Sequence, residues 1–203
     1  MTTAPGRDVS RETAGRLADY ADLLRTWNSK INLVSKPTLA ELETRHFADS
    51  AQLLAFAPAE ATTWADLGSG GGFPGLVVAI LAAEQRPALR VTLVESDQRK
   101  AVFLRTVVQR TGVPVTVLSN RIEEIPPLRA EVVSARALAP LAPLLDHAHR
   151  HLRAGGTALF PKGANWRAEV DEALERWRFR CENLPSATSP EGVILRIGDI
   201  HRV

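Results

Sequence analysis

The spacing of apolar residues divides the chain into two unlike parts. Up to about residue 60 they recur every three or four positions, the period of an amphipathic helix. Leu17, Tyr20, Leu23, Leu24 and Trp27 form one such stripe, and Ser10 stands where an N-cap is wanted. This predicts a helix from Asp8 or Ser10 to Trp27, with a frayed start at residues 1–7 and a break at Asn28-Ser29-Lys30. Ile31 to Ser35 reads as a short apolar connector, and Pro37 starts a new turn. Thr38–Thr44 and Arg45–Phe56 are predicted as two more helices, the latter stopped by Pro58.

From Thr63 the pattern alternates between short apolar runs and helical stretches. Strands are predicted at 63–67, 90–95, 115–119, 131–135, 157–160, 178–182 and 193–197. Helices are predicted near 74–84, 97–111, 140–152 and 167–177. Gly155-Gly156 reads as the turn before the fifth strand. Such alternation implies an α/β fold with a mostly parallel sheet covered on both faces. The last two strands have no helix between them, so an antiparallel pair at one edge is expected. The division is thus a helical extension, 1–60, and an α/β domain, 61–203.

One stretch stands apart from both periods. Trp64 to Leu67 runs into Gly68-Ser69-Gly70-Gly71-Gly72-Phe73-Pro74-Gly75, with five glycines in eight residues. A glycine loop at a strand's carboxyl end lets backbone N–H groups touch a ligand at the mouth of a parallel sheet. No Gly-Lys-Ser/Thr follows, so this is not a P-loop. Gly70-x-Gly72-x-x-Gly75 has dinucleotide spacing, but its first glycine falls three residues past the strand. Asp66-x-Gly68-x-Gly70-x-Gly72, starting directly from the strand, is the register suited to S-adenosylmethionine. The second strand ends in Glu95, an acid placed to bind both hydroxyls of a ribose. NAD and S-adenosylmethionine are served alike by that feature.

Composition narrows the picture a little. The 203 residues carry a net charge of +2, with 21 arginines against four lysines. Arginine's planar donor fork suits phosphate and guanine, so a nucleic-acid partner is permitted. The single cysteine, Cys181, rules out a disulfide framework or a cysteine-rich zinc site, and it is expected to be a small buried hydrophobe in a late strand. No metal site is expected. The N-terminus has no secretory h-region and the longest apolar run is too short for a bilayer, so a cytoplasmic location is expected. Nothing signals an obligate interface, and a monomer is expected.

Other candidates lie where the predicted topology opens the sheet. Arg136, in Ser134-Ala135-Arg136-Ala137, follows the fourth strand, and an ion pair to Glu95 or Asp66 is one expectation for it. The Asn/Asp-Pro-Pro-aromatic motif of amino-methyltransferases is missing there. Cys181 is too distant for a covalent mechanism. The absence of an evident base or nucleophile points to an acceptor that needs no activation. Arg45 and Asp49, and His46 and Ser50, are i, i+4 pairs on the predicted third helix. Arg45, His46 and Lys162 are candidate catalytic residues. With Arg99, Lys100, Arg105 and Trp166 they are also candidate RNA contacts, alongside Arg121 and Arg129 as members of a phosphate-tracking patch.

The motif Asp66-Leu67-Gly68-Ser69-Gly70-Gly71-Gly72-Phe73-Pro74-Gly75 resembles that of the GidB family, also called RsmG. The resemblance spans nearly the whole chain. It includes Leu24-x-x-Trp27-Asn28-x-x-Ile31-Asn32-Leu33, Arg45-His46-x-x-Asp49-Ser50, Arg99-Lys100-x-x-Phe103-Leu104-Arg105, Arg121-Ile122-Glu123-Glu124, Ser134-Ala135-Arg136-Ala137 and Lys162-Gly163. It implies a Rossmann-like class I methyltransferase fold with an N-terminal helical cap. It implies S-adenosylmethionine as cofactor and N7 of a guanine in 16S rRNA, guanine 527, as acceptor, with the rRNA or small subunit as partner. Cofactor contacts would fall on Gly68, Gly70, Gly72, Phe73, Glu95, Ile122, Glu123 and Arg136. The chain departs from the family at Gly71, often alanine or proline, and at Ala135, an addition before the arginine. Without the resemblance, a small-metabolite methyltransferase and a non-catalytic nucleotide-binding module stay open.

Overall fold

A computed structural model describes residues 9–203. The expected frayed start at 1–7 lies outside the described residues. The first helix, α1 (Arg11–Asn28), begins where Ser10 Oγ accepts the Thr13 N–H at 3.2 Å and ends at the expected break. The next segment differs from expectation. In place of two α-helices there is a short α2 (Lys36–Ala40), a π-helical stretch at Leu42–Ala48, and α3 (Asp49–Phe56). The expected Arg45–Asp49 pair is not formed, and Asp49 faces Arg136. Arg45 lies 3.6 Å from Glu41 instead, and Ser50 Oγ is buried without a partner among the described residues.

The sheet elements fall where the alternation put them. They are β1 (Thr63–Leu67), α4 (Gly75–Gln85), β2 (Arg90–Val94), α5 (Gln98–Thr111), β3 (Val115–Leu118), β4 (Ala130–Ser134), α6 (Leu141–His151), β5 (Leu152–Lys162), α7 (Trp166–Leu174), β6 (Trp177–Pro185) and β7 (Val193–Arg202). The seven strands lie in the order β3-β2-β1-β4-β5-β7-β6. β7 is antiparallel to both neighbours, and all other pairs are parallel. The expected β6–β7 pair exists, but β7 sits inside the sheet, between β5 and β6, and only β6 of the pair is an edge strand. Gly155 and Gly156 do not precede β5. They lie within it, where the register against β4 slips between Ala130 and Val132.

Alternation along the strands sends neighbouring residues to opposite faces. One face, with Trp64, Leu93, Val132 and Leu159, packs against Tyr20 and Leu24 of α1, Leu53 of α3, Ile80 of α4 and Phe103 of α5. The other, with Ala65, Val133, Phe160 and Leu195, packs against Leu141 and Leu145 of α6 and Ala173 of α7. The N-terminal helices thus share a core with the sheet. Cys181 corrects the expectation of burial. It is exposed, because β6 is the edge strand and is largely uncovered along its middle. No helix among the described residues is long and apolar enough to cross a membrane.

Strand order reverses between β1 and β4, and the crevice at their carboxyl ends is where open α/β sheets bind ligands. Both the glycine loop and the Ser-Ala-Arg-Ala turn leave the sheet at this point.

Candidate active site

The loop after β1 is fixed from three sides. Ser69 N donates to Val94 O at 3.1 Å, and Gly70 N donates to Glu95 Oε2 at 2.7 Å. From behind, the fully buried Tyr20 donates its hydroxyl to Gly71 O. Gly68 holds φ +65°, and a Cβ there would lie 2.6 Å from Leu138 Cδ1. Gly75 opens α4 against β1 so closely that a Cβ would meet Asp66 Cβ at 2.7 Å. Asp66 itself is buried. Its Oδ1 accepts from Ser134 Oγ at 2.7 Å and its Oδ2 from Gly75 N at 3.2 Å. Burial raises its pKa to about 6, against the pull of those hydrogen bonds.

A cavity of about 490 Å³ opens over this loop, a size suited to a nucleoside ligand. Gly68, Gly70, Phe73, Glu95, Ile122, Glu123 and Arg136 line it. Gly72 does not. Its φ is +96°, and a Cβ there would strike Leu76 at 2.5 Å and the Tyr20 hydroxyl at 2.6 Å, so it serves packing beneath the loop. Glu95 is buried rather than a surface acid, and its other oxygen accepts from Asp97 N at 2.8 Å. Ile122 is held from α6. His151 Nε2 meets Ile122 O at 3.0 Å, and Arg150 Nη2 donates to Ile125 O at 2.9 Å.

A second cavity of about 810 Å³ adjoins the first. Leu33, Arg136, Ala137 and Leu138 line both. Arg136 stands at this junction, its guanidinium 4.8 Å from the centre of the Phe73 ring. The ion pair to Glu95 or Asp66 that the sequence suggested is not formed. Instead Arg136 Nη1 lies 3.4 Å from Asp49 Oδ2 and its Nη2 lies 2.7 Å from His46 Nδ1. Arginine only donates, so His46 Nδ1 accepts and its proton rests on Nε2. The His46 ring stacks on Phe73 with centroids 4.8 Å apart.

Burial, then the charges of Arg136 and Arg45, hold the His46 pKa down at about 4. Below pH 6.5 the unfolded chain takes up a proton that the folded site refuses. The contribution of His46 is therefore complete above that pH and is lost as pH falls towards 4. In His46→Asn the acceptor near Nδ1 is kept without the titration. Between pH 7.5 and 5 the wild type is expected to lose roughly 2 kcal/mol more stability than this variant in denaturant melts. Parallel losses would refute it.

The remaining candidates spread around the two openings. Arg45 and Lys162 line the larger cavity. The Lys162 ammonium already donates to Glu169 Oε2 at 2.7 Å and Ala139 O at 3.0 Å. Trp166 begins α7, half-buried, with Arg167 stacked 4.4 Å over its ring. Lys100 lines the smaller cavity. Arg99 is exposed beside Asp97, and Arg105 is exposed on the same helix, 3.4 Å from Val117 O. Arg121 and Arg129 are exposed too. Sequence reasoning missed Leu33, Ser35 and Thr38 on the connector side, His147, and the loop 186–192. Only Asn28 hinted at the connector: its Oδ1 accepts from Leu33 N at 3.0 Å and Val34 N at 2.9 Å. Among the described residues no cluster of metal-ligating side chains occurs.

A mostly parallel sheet whose first strand feeds a glycine loop, with a buried acid just past the second strand, suits a nucleoside cofactor, and the family match given below places the chain in the class of S-adenosylmethionine-dependent methyltransferases. Solved structures share the fold. A cofactor-bound protein, Rv0187 from MTB, superposes with a TM-score of 0.61 at 16% identity over 97% of this chain and 98% of its own. A point mutant of MtNAS in complex with S-adenosylmethionine gives 0.56 at 18% identity over 92% and 72%.

Within that class the chain belongs to the GidB family. The family model for rRNA small subunit methyltransferase G matches residues 14–191. Relatives named ribosomal RNA small subunit methyltransferase G include one from Ruegeria sp. (strain TM1040), 55% identical over 97% of this chain and 95% of its own. Another, from Rhodospirillum centenum, is 52% identical over 95% and 87%.

Proposed function

We propose that the protein transfers a methyl group from S-adenosylmethionine to N7 of a guanine in 16S rRNA, at guanine 527 as the family resemblance implies. That it is an rRNA small subunit methyltransferase follows from its family. One observation supports the nitrogen. The residues common to both cavities are Leu33, Arg136, Ala137 and Leu138, and none can serve as a general base or a nucleophile at neutral pH. Such a junction suits an acceptor that has no proton to lose.

The smaller cavity fits the cofactor. Without a Cβ on Gly68 the loop backbone clears Leu138, and each Glu95 oxygen keeps a lone pair free for a ribose hydroxyl. Glu95 would hold the ribose, Ile122 would cover the base, and Gly68, Gly70, Phe73, Glu123 and Arg136 would complete the contacts. When bound, S-adenosylmethionine supplies a methyl group on a cationic sulfur. The chain's own part is to exclude water with Leu33 and Leu138 and to align N7 with the methyl carbon. Such alignment is worth roughly 7–11 kcal/mol. The larger cavity would receive the guanine nucleotide. Arg45, His46, Lys162 and Trp166 would border it, and Arg99, Lys100 and Arg105 would meet RNA beyond. The protein would act as a monomer.

A labelled methyl transfer assay on small subunits and on free 16S rRNA tests this. Reduction and aniline scission then cut the product strand at N7-methylguanine, and primer extension locates the cut. A single stop at the nucleotide immediately 3′ of guanine 527 is expected. Methylated RNA that resists scission would rule out N7, and transfer only to a small metabolite would overturn the RNA reading.

A further inference from the structure

The loop 186–192, between β6 and β7, carries no motif, yet it closes one side of the larger cavity through Ser186, Thr188 and Ser189. It is folded on itself. Ser186 N donates to Gly192 O at 3.0 Å, Gly192 N to Ser189 O at 3.2 Å, and Thr188 N to Ser186 Oγ at 3.2 Å. It is also fastened to α3, more than 130 residues away in sequence. Ala187 N donates to Gln52 Oε1 at 3.0 Å, and the Thr188 hydroxyl lies 2.9 Å from Asp49 Oδ1 as its donor.

Those bonds bear on the junction of the two cavities. Asp49 Oδ1 also accepts from Gln52 Nε2 at 3.0 Å. The other oxygen, Oδ2, faces Arg136 Nη1 at 3.4 Å. A carboxylate turns easily about its terminal torsion, whose energy profile is broad. Two donors on Oδ1 stop that rotation and keep Oδ2 directed at the guanidinium. Arg136 and Asp49 each leave only 18% of the side chain exposed, so the pair is shielded from solvent and sensitive to its geometry. Thr188 itself is half-buried on a loop outside the sheet, and neither hydrophobic core includes it.

We propose that Thr188 is a positioning residue for methyl transfer. It acts through Asp49 to hold Arg136 at the meeting point of the cofactor and acceptor cavities. This rests on the reading of the larger cavity as the acceptor side. It also gives the β6–β7 loop a role in aligning the reaction.

The test compares full-length wild type, Thr188→Val, Thr188→Ser, Asp49→Asn and the Asp49→Asn/Thr188→Val double variant. Methyl transfer to small subunits, affinity for S-adenosylmethionine by calorimetry, and melting temperature are read for each. Valine keeps the shape and removes the hydroxyl, and is expected to lower kcat about tenfold, the scale of one hydrogen bond to a charged group. Cofactor affinity falls no more than a few-fold, since Arg136 is one contact among several, melting temperature stays near wild type, and serine restores the rate. On Asp49→Asn, adding Thr188→Val costs nothing further, because the two act as one unit. Wild-type kcat in Thr188→Val, or a full further tenfold loss on Asp49→Asn, would overturn the proposal. So would a loss of rate that tracks a loss of melting temperature and is not rescued by serine. Failure of the wild type itself on every rRNA substrate would instead sink the acceptor reading on which it rests.

Discussion

Replacing Gly68 by valine is expected to abolish binding of S-adenosylmethionine while the chain stays folded. Two effects combine. The backbone at Gly68 has φ +65°, a region that β-branched residues avoid. A Cβ built there lies 2.6 Å from Leu138 Cδ1. Leu138 is a flexible side chain and can yield, but it lines both cavities, so it moves within the space the ligand needs. Valine's two methyl groups fill more of that space. Gly68 itself is half-exposed at the loop's opening and outside both hydrophobic cores, so the sheet does not depend on it. Affinity measured by calorimetry should fall roughly a hundredfold or more, equivalent to about 3 kcal/mol. The circular dichroism spectrum should match the wild type. Affinity within a few-fold of wild type would refute the assignment of the loop. Gly72→Ala should behave differently, because its clashes are with Tyr20 and Leu76 in the core, and melting temperature should suffer first.

That contrast shows where the sequence was legible and where it was not. Strand and helix periods placed every sheet element in order, because each buries one face against a partner and the pattern records it, but β5, β6 and β7 run several residues longer than the spacing implied. The spacing put the glycine loop and Glu95 at the same mouth of the sheet, and they stand there together, because a strand end has few positions. Gly72 was grouped with the loop's contacts by spacing, which does not tell a glycine that faces the cavity from one that makes room for Tyr20. The segment 36–48 was misread because apolar spacing of three and four does not distinguish an α-turn from a π-turn, and Asp49's pairing with Arg136 is a long-range contact that spacing does not record. Cys181 was misread because a late strand can be central or an edge, and strand order is a property of the whole sheet. The loop 186–192 has no period and no motif. Its importance arises from contacts to Gln52 and Asp49 that only the fold brings about.

Asp66 carries the largest expected effect on stability, and its size depends on pH. It ends the chain of hydrogen bonds in which Trp64 Nε1 donates to Ser134 Oγ at 2.8 Å and Ser134 Oγ donates to Asp66 Oδ1. It also takes the Gly75 N–H at the start of α4. In Asp66→Ala both donors lose their buried acceptor, at about 1–3 kcal/mol each. Against this stands the cost of keeping a carboxylate wholly out of water, which raises its pKa from 3.8 to about 6. A raised carboxylate pKa means that the folded protein binds the proton more tightly than the unfolded chain does. The stability that Asp66 contributes is therefore greatest at low pH and declines as pH rises through about 4 to 6. The alanine variant lacks this titration but shares every other one with the wild type, His46 included, so their difference isolates Asp66. That difference is expected to be about 2 kcal/mol at pH 8 and to widen by roughly 1–1.5 kcal/mol at pH 5, read from denaturant melts at both pH values. A gap that narrows on acidification would mean that Asp66 is more acidic in the folded protein than in the unfolded chain. The hydrogen bonds from Ser134 and Gly75, rather than burial, would then govern the charge at the base of the cofactor loop.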